Sequence, residues 1–190
     1  QYLVNMREDL LFFLAKDNKL QSLDKDFRHL FRSWFNPGFL KLVRIQKDTD
    51  SDILQKIIKY ERVHEIKSIE SLYRRLENDR LFFAYFHPIV EKDPLIFVQV
   101  ALTKGVGTSI QEITEGGIFS LTDYDTATFY SISNANKGLQ GITLGNFLIK
   151  RVVFQIQQEM PKIKNFFTLS PIPGFANWFL HQSDEKIKKI

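Results

Sequence analysis

The chain of 190 residues contains no cysteine. That absence excludes a disulfide scaffold, a cysteine nucleophile and metal sites made of thiolates. Long apolar runs are also absent, since no stretch reaches the roughly 18 residues of a membrane-spanning helix. We therefore expect no membrane span. Internal repeats and low-complexity segments are missing as well, so the length predicts one domain, or one domain with a small appendage.

The chain also has little excess of one charge over the other, since its formal net charge is only +4. The excess is dispersed, with part of it in Arg74 and Arg75 and part in residues 186–189. No zinc-finger or aromatic RNA-binding motif accompanies it, so we expect no nucleic-acid partner. A mildly basic surface suits a polyanionic small molecule. Apolar side chains are plentiful at 44%, with 18 Phe, which predicts an ordered core.

The pattern of apolar residues predicts an α+β fold that follows a helical N-terminal segment. Residues 5–34 have helical periodicity interrupted near residues 17–18, and a turn at 36–38 marks a boundary. A turn at 92–94 is expected to join two strands, the second of them apolar enough to be central. Strands are predicted over 39–45, 81–86, 95–102, 126–133 and 165–169, and further helices after Asp50 or Ser51 and over 66–76, 108–114 and 142–160.

Residues 126–145 are the most informative stretch. A run of strand formers leads into a polar loop that contains Gly138 and Gly141, and an apolar-periodic helix follows. Unpaired first-turn N–H groups and the positive end of the helix dipole attract anions at such a junction. Glycine also lets the backbone approach a ligand closely. The sequence therefore predicts a phosphate-bearing ligand at this loop, within a βαβ unit over residues 126–169 that has parallel strands.

This order of elements is that of the GCN5-related acetyltransferase fold, and several long segments resemble the malonyl-CoA decarboxylase family. The segments are MREDLLFFL at 6–14, FRHLFRSWFNPGFLKLVRI at 27–45, ILQKIIKYERVHEI at 53–66, DPLIFVQVALT at 93–103, FYSISNANKGLQGITLGNFLIKRVV at 129–153 and TLSPIPGF at 168–175. The resemblance implies that residues 1–34 end a helical domain and that residues 35–190 belong to a catalytic domain with an acetyltransferase-like mixed sheet and flanking helices.

The resemblance also implies an activity. Members of the family are carboxy-lyases that convert malonyl-CoA to acetyl-CoA and carbon dioxide without a metal or an organic cofactor. An acyl-CoA substrate, a homo-oligomeric intact enzyme and a role in fatty acid metabolism follow. The expected location is the cytoplasm in a bacterium, and the mitochondrial matrix, peroxisome or cytosol in a eukaryote.

One feature of the family has no counterpart in this sequence. The family's catalytic domain continues past the SPIPGF motif and contains a histidine, in a motif of the kind H-x-x-N-G-A, that works with a serine as acid and base. The 190 residues contain no such motif. We therefore expect either that the chain lacks the C-terminal part of the domain or that it is a naturally short relative.

Decarboxylation of a malonyl thioester leaves an enolate, whose oxygen must be stabilised and whose carbon must be protonated. The resemblance assigns the acid/base serine to Ser131 in the FYSIS strand. Period-two alternation predicts that Ser131 shares a face with Ala127, Phe129 and Ser133. The ordinary alternative is that Ser131 only bonds the backbone near a strand end.

The candidate substrate-binding residues form three groups. The first group follows the central strand and consists of Val106, Gly107, Thr108, Ser109, Ile110, Gln111 and Glu112, for which helix capping by Thr108 or Ser109 is an equally compatible role. The second is the expected pyrophosphate cradle of Asn136, Lys137, Gly138 and Gly141, although a loop lysine is more often only solvated. The third is Ser170, which can line the pantetheine channel or simply end a strand.

Two other functions remain open from the sequence alone. A decarboxylating acyltransferase, such as a loading domain, would share the fold and would need a carrier-protein partner. A non-catalytic CoA-binding module would fit a naturally short chain. The four histidines, at 29, 64, 87 and 181, form no metal-binding pattern, so no metal site is predicted.

Overall fold

A five-stranded mixed sheet organises the computed structural model, which describes residues 1–14, 16–107, 109–115, 124–172 and 174–182. The strands lie side by side in chain order: β1 Lys41–Arg44, β2 Arg80–His87, β3 Val90–Thr103, β4 Thr126–Asn134 and β5 Asn165–Thr168. Neighbours are antiparallel except β4 and β5, which are parallel and joined through a long helix. The predictions of an α+β fold with acetyltransferase-like element order and of a βαβ unit are confirmed.

Seven α-helices are present in the described part of the chain. They are α1 Tyr2–Leu14, α2 Gln21–Trp34, α3 Ser51–Tyr60, α4 Ile69–Arg74, α5 Ile110–Glu115, α6 Gly145–Glu159 and α7 Phe175–Leu180, with short 3₁₀ turns at Asn18–Leu20, Pro37–Phe39 and Lys137–Leu139. The first 3₁₀ turn is the predicted break between α1 and α2. Helix α7 was not predicted, because the prolines before it indicated only the end of a strand. None of these helices is long and apolar enough to cross a membrane.

The hairpin between β2 and β3 turns at residues 88–89, so the predicted turn at 92–94 is wrong. His87 pairs with Val90, whereas the preceding residue Phe86 pairs with Pro94, and the register shifts between the two pairs. A proline is tolerated in a strand at such an irregularity, where no ladder hydrogen bond is required of its nitrogen. Strand β3 therefore continues through the segment that the proline had suggested as a turn.

Both faces of the sheet are covered. On one face α1, α2 and α6 share a core with the sheet, built around Phe31, Phe83, Val100, Phe129 and Val152. On the other face α3 and α4 pack with a second group of side chains, which includes Leu54, Ile57, Leu72, Phe82 and Phe97. Strand β3 is central and buried along residues 95–102, as predicted. The division of the chain after residue 34 stays a prediction, since α1 and α2 belong to the same core as the sheet.

A buried arginine joins the N-terminal helices to the loop after β4. Arg7 on α1 is only 1% exposed, and its Nη1 donates hydrogen bonds to the carbonyl oxygens of Gly138 and Gln140. Its Nε donates to Asp24 on α2 at 2.9 Å, and Arg28 donates to the other oxygen of the same carboxylate at 2.8 Å. The N-terminal helices therefore fix the loop after β4 through hydrogen bonds to its backbone carbonyl groups.

The Asp24 carboxylate makes stability depend on pH. Burial raises the pKa of Asp24, but the hydrogen bonds from Arg28 and Arg7 outweigh burial and keep this pKa below its ordinary value. A carboxyl whose pKa is depressed by folding contributes stability above its unfolded pKa and loses it as the pH falls through the folded value. We expect the free energy of unfolding, measured with urea, to decline between about pH 5 and pH 2, and to decline less steeply in Asp24→Asn. Equal slopes in the two proteins would contradict this account.

Candidate active site

A β-bulge in β4 sets the position of Ser131. Gln99 on β3 pairs with Ser131, but the next residue, Val100, pairs with Phe129, which leaves Tyr130 as an extra residue on β4. An extra residue interrupts the two-residue alternation and bends the strand, so that the side chains beyond it change faces. Bulges of this kind are common beside active sites.

The predicted alternation of β4 is therefore wrong. Phe129 and Ile132 pack into the core shared with α6. Tyr130 and Ser131 both face the opposite side, where Tyr130 packs with Ile113 of α5. Ser131 thus lies on the face covered by α3 and α4, not beside Phe129. Strict alternation failed because the bulge is a property of the pairing between two strands and is not encoded in the strand's own pattern.

The hydroxyl of Ser131 lies against a buried carboxylate that the sequence had not indicated. Its Oγ is 2.9 Å from both side-chain oxygens of Glu61, the residue that caps the C-terminus of α3. Ser133 donates to one of these oxygens at 3.0 Å. The same oxygen accepts the backbone N–H groups of Val63 and His64 at 2.7 and 3.0 Å. Ser131 is 1% exposed and Glu61 is 6% exposed, so these hydrogen bonds lie inside the protein.

A second layer of polar groups supports the carboxylate. The Nε2 of Gln99 donates to Glu61, while its Oε1 accepts the hydroxyl of Tyr130 at 2.9 Å and Nη1 of Arg75 at 3.3 Å. Arg75 is itself buried and also donates to the carbonyl oxygens of residues 64 and 65. Burial raises the pKa of Tyr130, which keeps its hydroxyl neutral and able to donate.

Sequence reasoning missed Glu61, Gln99 and Arg75. Ser131 is 70 residues from Glu61 along the chain, so no local pattern connects the two. Gln99 did carry a signal, because it is the only polar residue in the apolar run 95–102. A buried polar side chain in such a run needs hydrogen-bond partners and points to a network.

His64 contacts the backbone of Tyr130, the residue before Ser131. Its Nε2 is 3.0 Å from the carbonyl oxygen of Tyr130. A carbonyl oxygen only accepts, so Nε2 carries the hydrogen in this arrangement. The sequence had given His64 no chemical role.

Residues 106–107 and 109–112 lie on the same face of the sheet as Ser131. Ser109 accepts the N–H of Glu112 at 3.2 Å, so the helix-capping role is confirmed for this residue. Ile113 packs against Tyr130, and Arg80 donates two hydrogen bonds to the carbonyl oxygen of Ile113 at 3.0 and 2.6 Å. Val106, Gln111 and Glu112 are exposed, Gly107, Ser109 and Ile110 are half-buried, and Thr108 lies outside the described residues. Their role in substrate binding stays a prediction.

The loop of the expected cradle is partly covered by α1. Asn136 is buried and accepts a hydrogen bond from Gln1 at 3.0 Å. A Cβ added to Gly138 would lie 2.0 Å from the carbonyl oxygen of Val4, so the packing of α1 already requires glycine there. Lys137 is exposed and lies 3.6 Å from Glu8.

Gly141 and Ser170 complete the set of predicted contacts. Gly141 has a φ of +79°, a conformation that favours glycine. It is exposed, as is Ser170 just after β5. As with the other cradle residues, contact with a ligand stays a prediction for both.

The sheet opens next to Ser131. Strands β4 and β5 pair only as far as Phe129 and Thr168, with one further hydrogen bond from the N–H of Leu169 to the carbonyl of Phe129 at 2.8 Å. Beyond this point β4 continues to Asn134 without a β5 partner among the described residues. The opening is at the carboxyl ends of two parallel strands, where ligands bind in α/β sheets.

Two family models cover nearly the whole chain. The malonyl-CoA decarboxylase C-terminal domain matches residues 38–190, and the malonyl-CoA decarboxylase N-terminal domain matches residues 1–35. The chain belongs to the malonyl-CoA decarboxylase family. The resemblance inferred from the sequence is thereby confirmed.

Individual members of the family agree with this assignment. The mitochondrial malonyl-CoA decarboxylase of Anser anser anser is 37% identical over 199 residues, which cover 100% of this chain and 39% of that protein. The enzyme of the same name from Rattus norvegicus is 37% identical over 95% of this chain and 38% of its own length. The crystal structure of malonyl-CoA decarboxylase from Agrobacterium vitis superposes with a TM-score of 0.88 at 49% identity, covering 97% of this chain and 45% of that one. The chain thus spans less than half the length of these decarboxylases.

Proposed function

We propose that the protein carrying this chain is a carboxy-lyase that converts malonyl-CoA to acetyl-CoA and carbon dioxide. In the proposed step the bond between the malonyl carboxylate carbon and Cα breaks, and its electron pair passes into the thioester as an enolate. Carbon dioxide leaves, and a proton adds to Cα. Hydrogen-bond donors and one proton shuttle suffice for this chemistry.

The observation that carries the proposal is the Ser131 hydroxyl, fixed by a buried carboxylate at the point where β4 parts from β5. Ser131 is the acid/base serine of the proposal. The exposed side of the loop, with Lys137 and Gly141, would hold the phosphates of CoA, and the opening between the strands would hold the pantetheine arm. Membership of the family supports the substrate class.

Calorimetric titration of this chain with CoA and malonyl-CoA tests the binding half of the proposal. Saturable binding of both ligands is expected, because most contacts would be made by the CoA body that they share. A folded protein that binds neither ligand at millimolar concentration would rule out the proposed site. Carbon dioxide release from malonyl-CoA by the native-length protein tests the chemical half.

Lys137→Ala is expected to weaken CoA binding about 3- to 10-fold, the effect of losing roughly 1 kcal/mol from one exposed charged contact. Lys162→Ala is the matched control, since Lys162 is another exposed lysine beyond the opposite end of α6 and should leave the Kd unchanged. Gly138 is unsuitable for this test, because a side chain there would collide with α1 before it reached a ligand. Equal Kd values for Lys137→Ala and the parent would show that the cradle is elsewhere.

The 190-residue chain by itself is expected to release little carbon dioxide. The resemblance assigns the second acid/base group to a histidine motif that these residues do not contain. Should an assay of the chain show robust turnover, His64 becomes the first histidine to replace, because its ring bonds beside Ser131. His87 is a poorer candidate, because it ends β2 and accepts the N–H of Ile89 in the hairpin turn.

A further inference from the structure

We propose that Glu61 is a positioning residue for the decarboxylation, which acts by fixing the direction of the Ser131 hydroxyl. This inference rests on the proposed function and adds to it a residue that the sequence did not suggest. Glu61 does not touch the substrate in this proposal. Its effect on the reaction passes through Ser131.

The argument begins at Arg75, because a guanidinium group only donates hydrogen bonds. Nη1 of Arg75 contacts Gln99, so the group that faces it must be the amide oxygen, and the Gln99 nitrogen is turned toward Glu61. The hydroxyl of Tyr130 also donates to the amide oxygen. Two donors therefore hold the Gln99 amide in one orientation.

The next step is the carboxylate. Glu61 receives the amide nitrogen of Gln99 on one oxygen and the backbone N–H groups of Val63 and His64 on the other. None of these three groups can accept a hydrogen bond as oriented, so both carboxylate oxygens act as acceptors. Ser131, which lies 2.9 Å from both oxygens, must then donate its hydrogen to Glu61.

A hydroxyl whose hydrogen is committed in this way presents only lone pairs to other groups. Within the acid/base pair of the proposed function, Ser131 is therefore the accepting member, whose oxygen receives the hydrogen bond of the partner acid that protonates the enolate. A serine on an ordinary strand rotates its hydrogen freely, so an incoming donor would meet the correct arrangement only part of the time. The hydrogen bonds that run from Arg75 through Gln99 to Glu61 fix the carboxylate as the acceptor of the Ser131 hydrogen and remove that freedom before the substrate binds.

Glu61→Gln tests the direction of the hydrogen with little change in shape. The carbonyl oxygen of the new amide would stay with the two backbone N–H groups, and its nitrogen would replace the oxygen that now accepts from Gln99 and Ser131. The hydrogen bond from Gln99 would be lost, and the one with Ser131 would be reversed. In the native-length protein we expect kcat for carbon dioxide release to fall about 10- to 100-fold, by analogy with the loss of groups that orient metal-binding side chains. The KM for malonyl-CoA and the Kd for CoA should change by less than about 3-fold, because no contact with CoA is lost.

Thr128→Val is the matched control for this variant. Thr128 is buried on the same strand, and its hydroxyl has no hydrogen-bond partner among the described residues. Replacing it by an isosteric apolar side chain should leave kcat unchanged.

A double-variant cycle separates positioning from a general effect on folding. If Glu61 acts through Ser131, Glu61→Gln should lower kcat in the parent but not in a Ser131→Ala background. Multiplicative losses in the double variant, or an unchanged kcat in Glu61→Gln, would overturn the inference while leaving the proposed function intact. A parent protein that releases no carbon dioxide would instead remove the proposed function, and the inference with it.

A second variant covers the case in which Glu61→Gln does not fold. Gln99→Met removes one donor to the carboxylate but keeps the length of the side chain and leaves Glu61 in place. The kcat of Gln99→Met is then measured both in the parent and in the Ser131→Ala background. A smaller loss of kcat that disappears in the Ser131→Ala background supports the proposal, and a loss that persists there contradicts it.

Discussion

Ser131→Ala is expected to lower the kcat of the native-length protein by about 100- to 10,000-fold, the usual contribution of a general acid–base group. The loss should appear in kcat much more than in KM, because the hydroxyl matters most when charge develops on the substrate. Binding energy for the ground state would come mainly from the CoA body, which Ser131 does not hold. Carbon dioxide release at saturating and limiting malonyl-CoA separates the two parameters.

The control for this experiment must be another buried hydroxyl of β4. Thr128→Val serves, since it removes a hydroxyl that has no hydrogen-bond partner among the described residues. It should retain parental turnover and stability. Ser131→Ala leaves Glu61 with its other donors, so we expect the variant to fold. A folded Ser131→Ala protein with near-parental kcat would take Ser131 out of the mechanism and leave its bond to Glu61 as a structural one.

Arg7→Met is expected to cost about 3 kcal/mol of unfolding free energy. Breaking a buried ion pair from one side usually costs 3–5 kcal/mol because the remaining group stays buried, and Asp24 keeps one partner here. The variant also leaves the carbonyl oxygens of Gly138 and Gln140 without the donor that holds them. Methionine preserves much of the side-chain length, so a simple cavity would not explain the loss. Urea unfolding of the two proteins measures it.

Arg28→Met is the matched control for Arg7→Met. Arg28 pairs with the same carboxylate, but its side chain is 43% exposed, and within the described part of the chain it forms no hydrogen bond to the loop. Exposed ion pairs contribute about 1 kcal/mol or less, so this variant should lie close to the parent. Equal losses of unfolding free energy in the two variants would show that the burial of Arg7 and its hydrogen bonds to the loop contribute no extra stability. A weaker CoA affinity in Arg7→Met alone would show that the helical segment shapes the loop.

Much of the fold could be predicted because it depends on local patterns. The apolar spacing of α1, α2, α3 and α6, the apolar run of β3 and the strand–loop–helix after residue 126 each lie within one continuous segment. Pro94 was wrongly taken as part of a turn. A strand can contain it only because the pairing of β3 with β2 is irregular at this point, which the sequence does not show. Helix α7 was missed for a similar reason, since the residues before it indicated only a strand end.

The candidate site was predictable only in part. Ser131, Lys137 and Gly141 were named from the family-like segments and from the loop, and their roles remain to be tested by the variants above. Gly138 was named for the approach of a ligand, whereas in the structure it lies against the backbone of Val4. That contact joins two segments more than a hundred residues apart. The sequence alone therefore could not show whether the glycine is needed for a ligand or for the packing of α1.

The sequence by itself determined the family, the α+β class, the order of the elements and the segment that contains the proposed acid/base serine. These properties follow from residue types and spacings within short stretches, which periodicity and motifs record directly. The tertiary structure alone decided which face Ser131 occupies and which group takes its hydrogen. The face depends on a bulge in the pairing of β4 with β3, and the partner is Glu61, 70 residues away. Both result from how separate segments pack, and no spacing along the chain encodes such packing.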